Sequence, residues 1–201
     1  MTPLIVIPAA GASSRMRGGD KLLETIDGTP LLRRQAKTAL ATGCPVLVCL
    51  PPDSPKRQRA VQDLHLSTLS IEDAAEGLGA TLRSAAHHVL HQTPRHPMMV
   101  LLPDFPDVTD TDIKTVIARF TAEGGSKVVR ATDASGRPGT PILIPPRLLP
   151  RFLRLKGDDG GKSALDGELV VTVLLLGTRA THDLDTPEDW TSWRKARLKP
   201  R

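Results

Sequence analysis

The chain reads as an α/β domain built on a mostly parallel sheet, and three observations predict this. Short apolar runs alternate with stretches of helical periodicity, the pattern of strand–helix–strand units. Hydrophobic residues make up 39% of the 201, enough to close a core and to exclude wholesale disorder. Neither an internal repeat nor a low-complexity segment interrupts the order, and the length suits one domain.

The run LIVIPA (4–9) is expected as a buried strand. LLRRQAKTAL follows Thr29-Pro30, read as cap and first helical position, and stops near Gly43. Leu32, Ala36, Ala39 and Leu40 fall on one face of that helix. PVLVCL (45–50) is the second strand, and KRQRAVQDL the basic helix after it. LSTLSI (66–71) is a weaker strand. Leu78, Leu82, Ala85, Ala86, Val89 and Leu90 mark a third helix. MMVLLP (98–103) has the character of the central strand. Ile113, Val116, Ile117 and Phe120 then keep helical spacing up to Gly124-Gly125, with Thr109 or Asp110 as cap. SKVVRAT, TPILIP and ELVVTVLLL (168–176) are further strands. The last helix opens at TPEDW, where Thr186, Pro187 and Asp189 form a capping box with proline first in the helix. DASGRPGTP (133–141) is the most flexible-looking internal stretch.

Composition narrows the function. Aromatics are 2% with no tyrosine, which disfavours readers that stack nucleic-acid bases. The net charge of +5 suits anionic partners without choosing one. Part of it lies in the tail WRKARLKPR, read as a solvated helix end rather than a nucleic-acid arm. Cys44 and Cys49 flank an apolar run at a spacing that fits no common zinc pattern, and they read as reduced, partly buried thiols. The amino terminus has no charged segment leading into a long apolar one, and no apolar stretch is long enough to span a membrane. A cytoplasmic protein is expected, with neither nucleic-acid nor membrane partners.

The first strand runs into AAGASSRMRGGDK, a loop with two readings. One is a solvated connection. The other is an anion cradle of backbone N–H groups around Gly11 to Ser14, helped by Arg15 and Lys21. Gly11 stands alone, so the dinucleotide fingerprint is absent. Asp104 follows the central strand, at the sheet edge where α/β folds bind ligands, and could hold Mg²⁺. Asp183 and Asp185 follow another strand, and one of them could be a second metal ligand. Asp185 also abuts the capping sequence, which gives it a structural reading. KGDDGGKSAL lacks P-loop spacing and follows no strand, so that reading is rejected. His87, His88 and His91 lie on a helix, on a face expected to be mostly exposed.

Taken in order, these motifs resemble the MobA-like NTP transferase family, the nucleotidyltransferases of the molybdenum cofactor group. IPAAGASSRMRGGDKLL is similar to its L-A-A-G-x-S-x-R-M-G-x-x-K-L-L signature. GTPLL, EGLGATLRSA, LLPDFPDVT, GRPGTPILIP, GDDGGKSAL and HDLDTPEDW resemble the later landmarks, so the likeness covers nearly the whole chain.

The resemblance implies a Rossmann-like, GT-A-like three-layer sandwich over 1–201, with a nucleotide half at about 1–105 and an acceptor half at about 106–201. It implies Mg²⁺-dependent transfer of a nucleotidyl group from an NTP to a phosphorylated acceptor, releasing pyrophosphate. The cytidylyl branch is the nearer, because guanylyl members show A-G-G where this chain has Ala9-Ala10-Gly11. CTP and molybdopterin cofactor are therefore the expected substrates, with contact to a molybdoenzyme or its chaperone. Carried over by position, Ala9, Ala10, Gly11, Ala12, Ser13 and Ser14 hold the nucleotide. Arg15 and Lys21 neutralise the triphosphate, and Gly77 and Thr81 lie near base and ribose. Asp104 binds Mg²⁺ with Asp183 or Asp185, and Arg15, Lys21 and Asp104 are the catalytic set. The 157–161 loop faces the acceptor. Arg17-Gly18-Gly19, Phe105, Gly79 and Lys162 depart from the pattern, and bear on base and acceptor preference. Two rivals stand beside this reading: a related transferase using GTP or a sugar phosphate, and a non-catalytic partner that binds or inserts molybdenum cofactor.

Overall fold

The structure, a computed structural model, describes residues 1–92 and 96–198. The end of the basic tail, 199–201, lies outside them. The chain opens with β1 (Leu4–Pro8), a two-residue hairpin β2 (Thr25–Ile26) and β3 (Thr29–Pro30), and α1 (Leu31–Leu40). Then come β4 (Val46–Leu50), α2 (Pro55–Val61), β5 (Ser67–Ser70), α3 (Leu78–Leu90) and β6 (Met98–Val100). The second half holds α4 (Asp110–Ala122), β7 (Val128–Thr132), β8 (Pro138–Ile144), α5 (Leu149–Phe152), β9 (Val170–Leu174) and α6 (Pro187–Arg197).

Seven strands form one sheet in the order β5-β4-β1-β6-β8-β7-β9, with β6 at its centre as expected. The pairs β4–β5, β1–β4, β1–β6 and β7–β9 are parallel. β8 alone runs against its neighbours, because the β7–β8 hairpin inserts it between β6 and β7. Strand alternation then divides the core into two apolar layers. Ile5 and Ile7 face one way, with Leu32 and Ala36 of α1, Ile113 and Phe120 of α4, and Trp190 of α6. Leu4 and Val6 face the other, with Leu82 and Ala86 of α3 and Phe152 of α5. Each of the larger side chains contributes about 1.5–3 kcal/mol on leaving water, against about 0–1 for an exposed ion pair. The two layers, rather than surface charges, hold the sheet.

Two expectations need correcting. Thr29 and Pro30 do not start α1: they pair as β3, and Pro30 occupies the cap position without a side-chain bond. The helix has no need of one, because the Leu31 and Leu32 N–H groups donate to the Glu24 and Leu22 carbonyls at 2.9 Å each. Nor is 133–141 loose. Asp133 Oδ1 accepts from the Ser135 and Arg137 N–H groups at 2.9 and 3.0 Å, and Oδ2 from Thr181 Oγ1 at 2.8 Å. Thr109 and Thr186 both cap their helices in capping boxes, with Asp112 and Asp189. Both cysteines are free and buried, and burial pushes the Cys49 thiol up to about 12. Among the described residues no helix is long and apolar enough to cross a membrane.

Candidate active site

The parallel strands β5, β4, β1 and β6 end at one edge of the sheet, and β9, parallel to β7, ends there too. The segments that follow them build the site. After β1, the Ala9 N–H donates to Cys49 O at 2.8 Å, which carries the strand one residue further. The chain then enters a loop with Ser13 and Arg17 both at φ 52 and Gly18 at φ 94. Met16 turns inward and is buried, anchoring the loop from below.

A cavity of about 860 Å³ opens beside this loop, lined by Ala10, Gly11, Gly19, Asp20, Ser54 and Arg57 among others. At Gly11 no protein atom lies within 4 Å of where a Cβ would stand, so its backbone is open to a ligand. Arg57, on α2, closes the floor. Its guanidinium donates to both oxygens of Asp20 at 2.7 and 2.9 Å, to Ala9 O at 2.7 Å and to Ser13 Oγ at 3.3 Å.

Past β6, Asp104 sits in a turn whose carbonyl accepts the Leu184 N–H at 3.0 Å. That one backbone bond sets Asp183 and Asp185, on either side of Leu184, against Asp104. Oxygens of the three carboxylates lie within 4.8 Å of one another. Lys21 Nζ bridges Asp104 Oδ2 at 2.5 Å and Asp185 Oδ1 at 2.6 Å, and Arg15 reaches Asp185 Oδ2 at 2.7 Å. The Asp185 N–H donates to Asp189 Oδ2 at 3.1 Å, so Asp189 serves the helix cap and leaves the Asp185 carboxylate to the cations.

The electrostatics follow from this packing. Burial works against the Lys21 charge, but Asp104 and Asp185 outweigh it and hold the pKa above lysine's ordinary value. Burial alone would raise Asp185; the Lys21 hydrogen bond and charge, helped by Arg15, hold it below the usual carboxylate range. Asp183, which no cation contacts among the described residues, is pushed up by burial and by the neighbouring carboxylates. Three carboxylates face two cations, and Asp104 Oδ1 is buried without a hydrogen-bond partner. A hard divalent cation fits such a set of oxygen donors.

A family model described as the MobA-like NTP transferase domain matches residues 5–173. The chain belongs to this family. No curated protein matches it. Among solved structures, it is similar to the Rv0371c homologue from Mycobacterium sp. strain JC1, at 23% identity and a TM-score of 0.83, with 98% of each chain covered. Rv0371c of Mycobacterium tuberculosis H37Rv in complex with manganese aligns at 21% identity and 0.78, over 98% of this chain and 100% of that one. CMP:2-keto-3-deoxy-manno-octonic acid synthetase complexed with CTP aligns at 16% and 0.73, over 98% of each. At these identities the likeness shows a shared fold, that of nucleotidyltransferases.

Arg15, Lys21, Asp104, Asp183 and Asp185 converge, the last two beyond the residues the family model matches. None of the five lines the cavity, which Ala10, Gly11, Ala12 and Asp20 of the same loop do. Ala9 is fully buried and offers its carbonyl to Arg57. Gly77 and Thr81 do not line the cavity. Gly77, at φ 113, lies against Gly157 and Asp158, where a Cβ would collide, and Thr81 is buried in α3. The Gly79 N–H donates to Gly157 O at 2.9 Å, so the 157–161 loop is seated on the start of α3. The exposed side of that loop borders a second cavity of about 630 Å³, with Asp158, Asp159 and Lys162. His87 stacks on His91, and His91 Nδ1 meets the His87 carbonyl oxygen at 2.8 Å, so these rings are occupied locally. Arg57 and Asp20 are site residues that the sequence alone did not mark. The available signal was the spacing of Arg57 and Val61, one helical turn apart, which puts an arginine on the buried face of α2.

Proposed function

We propose that the protein transfers CMP from CTP to the phosphate of molybdopterin cofactor, releasing pyrophosphate. The observation that carries this reading is the convergence of Lys21 and Arg15, on a loop whose Gly11, Ala12 and Asp20 line a cavity, with Asp104, Asp183 and Asp185. Asp104 is the residue to hold Mg²⁺, with one of Asp183 and Asp185 as its second ligand. The manganese complex of Rv0371c and the CTP complex of the synthetase support a metal and a cytidine nucleotide on this fold. When bound, the metal supplies charge neutralisation at the reacting phosphate.

The chain's own residues do the rest. The open backbone at Gly11 and Ala12 receives phosphate oxygens. Arg15 and Lys21 turn from Asp185 to the triphosphate and neutralise the charge on the departing pyrophosphate. An acceptor phosphate oxygen forms the new bond to the α-phosphorus, and the bond from that phosphorus to the β-phosphate bridging oxygen breaks. A phosphate monoester is already largely ionised at neutral pH, its second pKa being about 6, so no side-chain base is required. Catalysis then rests on positioning and charge. Residues 1–105 form the nucleotide half and 106–201 the acceptor half, with the 157–161 loop facing the acceptor. The cytoplasm, where NTPs are held, is the site of action, and a molybdoenzyme or its chaperone receives the product.

The test is a screen of CTP, GTP, ATP and UTP for Mg²⁺-dependent pyrophosphate release, with and without molybdopterin. Release with CTP only when molybdopterin is present supports the reading. Release with GTP, or with a sugar phosphate in place of molybdopterin, moves the protein to another branch of the family.

A further inference from the structure

Arg57 is the one buried arginine among the described residues, at 5% exposure. A buried guanidinium is tolerated only when paired and hydrogen-bonded. Here every bond goes to one loop: to Ala9 O at its start, Ser13 Oγ within it, and both oxygens of Asp20 at its end. Asp20 Oδ1 also accepts the Leu22 N–H at 3.0 Å and Ser13 Oγ–H at 3.3 Å, which fixes the backbone on either side of Lys21. Within this span Ser13 and Arg17 stand in the left-handed region, which is unfavourable for a residue with a side chain. Local preference therefore does not hold the loop in this shape. Val61, one turn along α2, is packed in the core and gives Arg57 a rigid base.

We infer that Arg57 is a positioning residue for the triphosphate. Through Asp20, Ser13 and the Ala9 carbonyl it holds residues 9–21 in the form that accepts an NTP. It does not touch phosphate itself, since its guanidinium is committed to the loop. Arg15 and Lys21 differ: their partners are the carboxylates that a metal would take over. The inference rests on the NTP-binding reading above and assigns a residue to it. Its consequence is selective. Losing the clamp weakens the NTP side of the reaction and leaves the acceptor side alone, because the 157–161 loop is seated on α3, not on α2.

The experiment uses the full chain with Arg57→Gln, Arg57→Lys, Asp20→Asn and the double variant Arg57→Gln/Asp20→Asn. Calorimetric titration with Mg²⁺-CTP, and separately with Mg²⁺-tripolyphosphate as a probe without a base, reads the phosphate site directly. Arg57→Gln should weaken both about tenfold, the scale of a lost charge-assisted network. Arg57→Lys should fall between, because lysine keeps the charge but not the fork. The double variant should bind no more weakly than Arg57→Gln, since both changes break one clamp. In steady state the KM for NTP should rise by the same factor while the KM for acceptor stays put. Amide exchange over 11–21 should quicken. Wild-type binding by Arg57→Gln, an equal rise in both KM values, or unchanged exchange in the loop would each overturn the inference. If Arg57→Gln does not fold, Asp20→Asn, which changes charge but not shape, decides the same question. Wild-type protein that binds no NTP contradicts the nucleotidyl-transfer reading, and loop exchange still decides the clamp.

Discussion

Lys21 stands between Asp104 and Asp185 at 2.5 and 2.6 Å, a place where an added cation would meet the same carboxylates. On the proposed reading its ammonium competes with a metal until a triphosphate draws it away. Lys21→Met should bind Mn²⁺ severalfold more tightly than the wild type in the absence of nucleotide, read by electron paramagnetic resonance of free Mn²⁺. The same variant should lose about a hundredfold in turnover, the scale of one missing charge at a transition state. Weaker Mn²⁺ binding by Lys21→Met would show that the lysine helps to build the metal site rather than filling it. Arg15, Lys21, Asp104 and the aspartates after β9 were legible in the sequence, because each follows a recognisable strand at the edge where ligands bind. Arg57 was hidden between Lys56 and Arg59 in a basic run. In such a run only the inward face of a short helix separates a buried guanidinium from solvated ones.

At the scale of elements, the β7–β8 hairpin and the turn after β9 bring Asp183 and Asp185 to Asp104. Gly139 lets them meet: a Cβ there would overlap the Ala180 carbonyl oxygen, and the Thr140 N–H donates to that same oxygen at 2.9 Å. Gly139→Ala should cost about 1–3 kcal/mol, the range for overpacking against backbone, and should depress metal binding as Asp183 and Asp185 shift. Thermal melts and Mn²⁺ titration check both parts. Asp133 ties the hairpin to Thr181, and the hydroxyls of Ser135 and Thr181 hold its carboxyl well below the usual carboxylate range. A depressed folded-state pKa means that the stabilisation is present above the unfolded value of about 3.9 and is lost as pH falls through the folded one. Asp133→Asn should therefore be less stable than the wild type at neutral pH, and the gap should narrow as the medium is made strongly acidic. A gap that stays constant with pH would assign Asp133 a neutral hydrogen-bonding role. This hairpin was not legible beforehand. Periodicity marks SKVVRAT and TPILIP as strands, but the insertion of β8 between β6 and β7 depends on long-range pairing, which no local pattern encodes. The capping boxes at Thr109 and Thr186 were half and wholly legible, because their chemistry lies within four residues.

Over the whole molecule, two apolar layers clamp a seven-stranded sheet and leave the carboxyl edge of its parallel strands to loops rich in charge. Residues far apart in the chain, Lys21, Asp104 and Asp185, become neighbours only through that arrangement. None of these three side chains belongs to either apolar layer, so loss of activity in site variants can be separated from loss of fold by a thermal melt. The most direct test is pyrophosphate release from CTP and molybdopterin with Mg²⁺, comparing the wild type with Asp104→Asn. The variant keeps the shape of the side chain and removes its charge. The wild type should release pyrophosphate steadily, and the variant should fall about a hundredfold or more while still melting cooperatively as a folded protein. Near-normal turnover by Asp104→Asn would contradict the assignment of this carboxylate to the metal and of the site to nucleotidyl transfer.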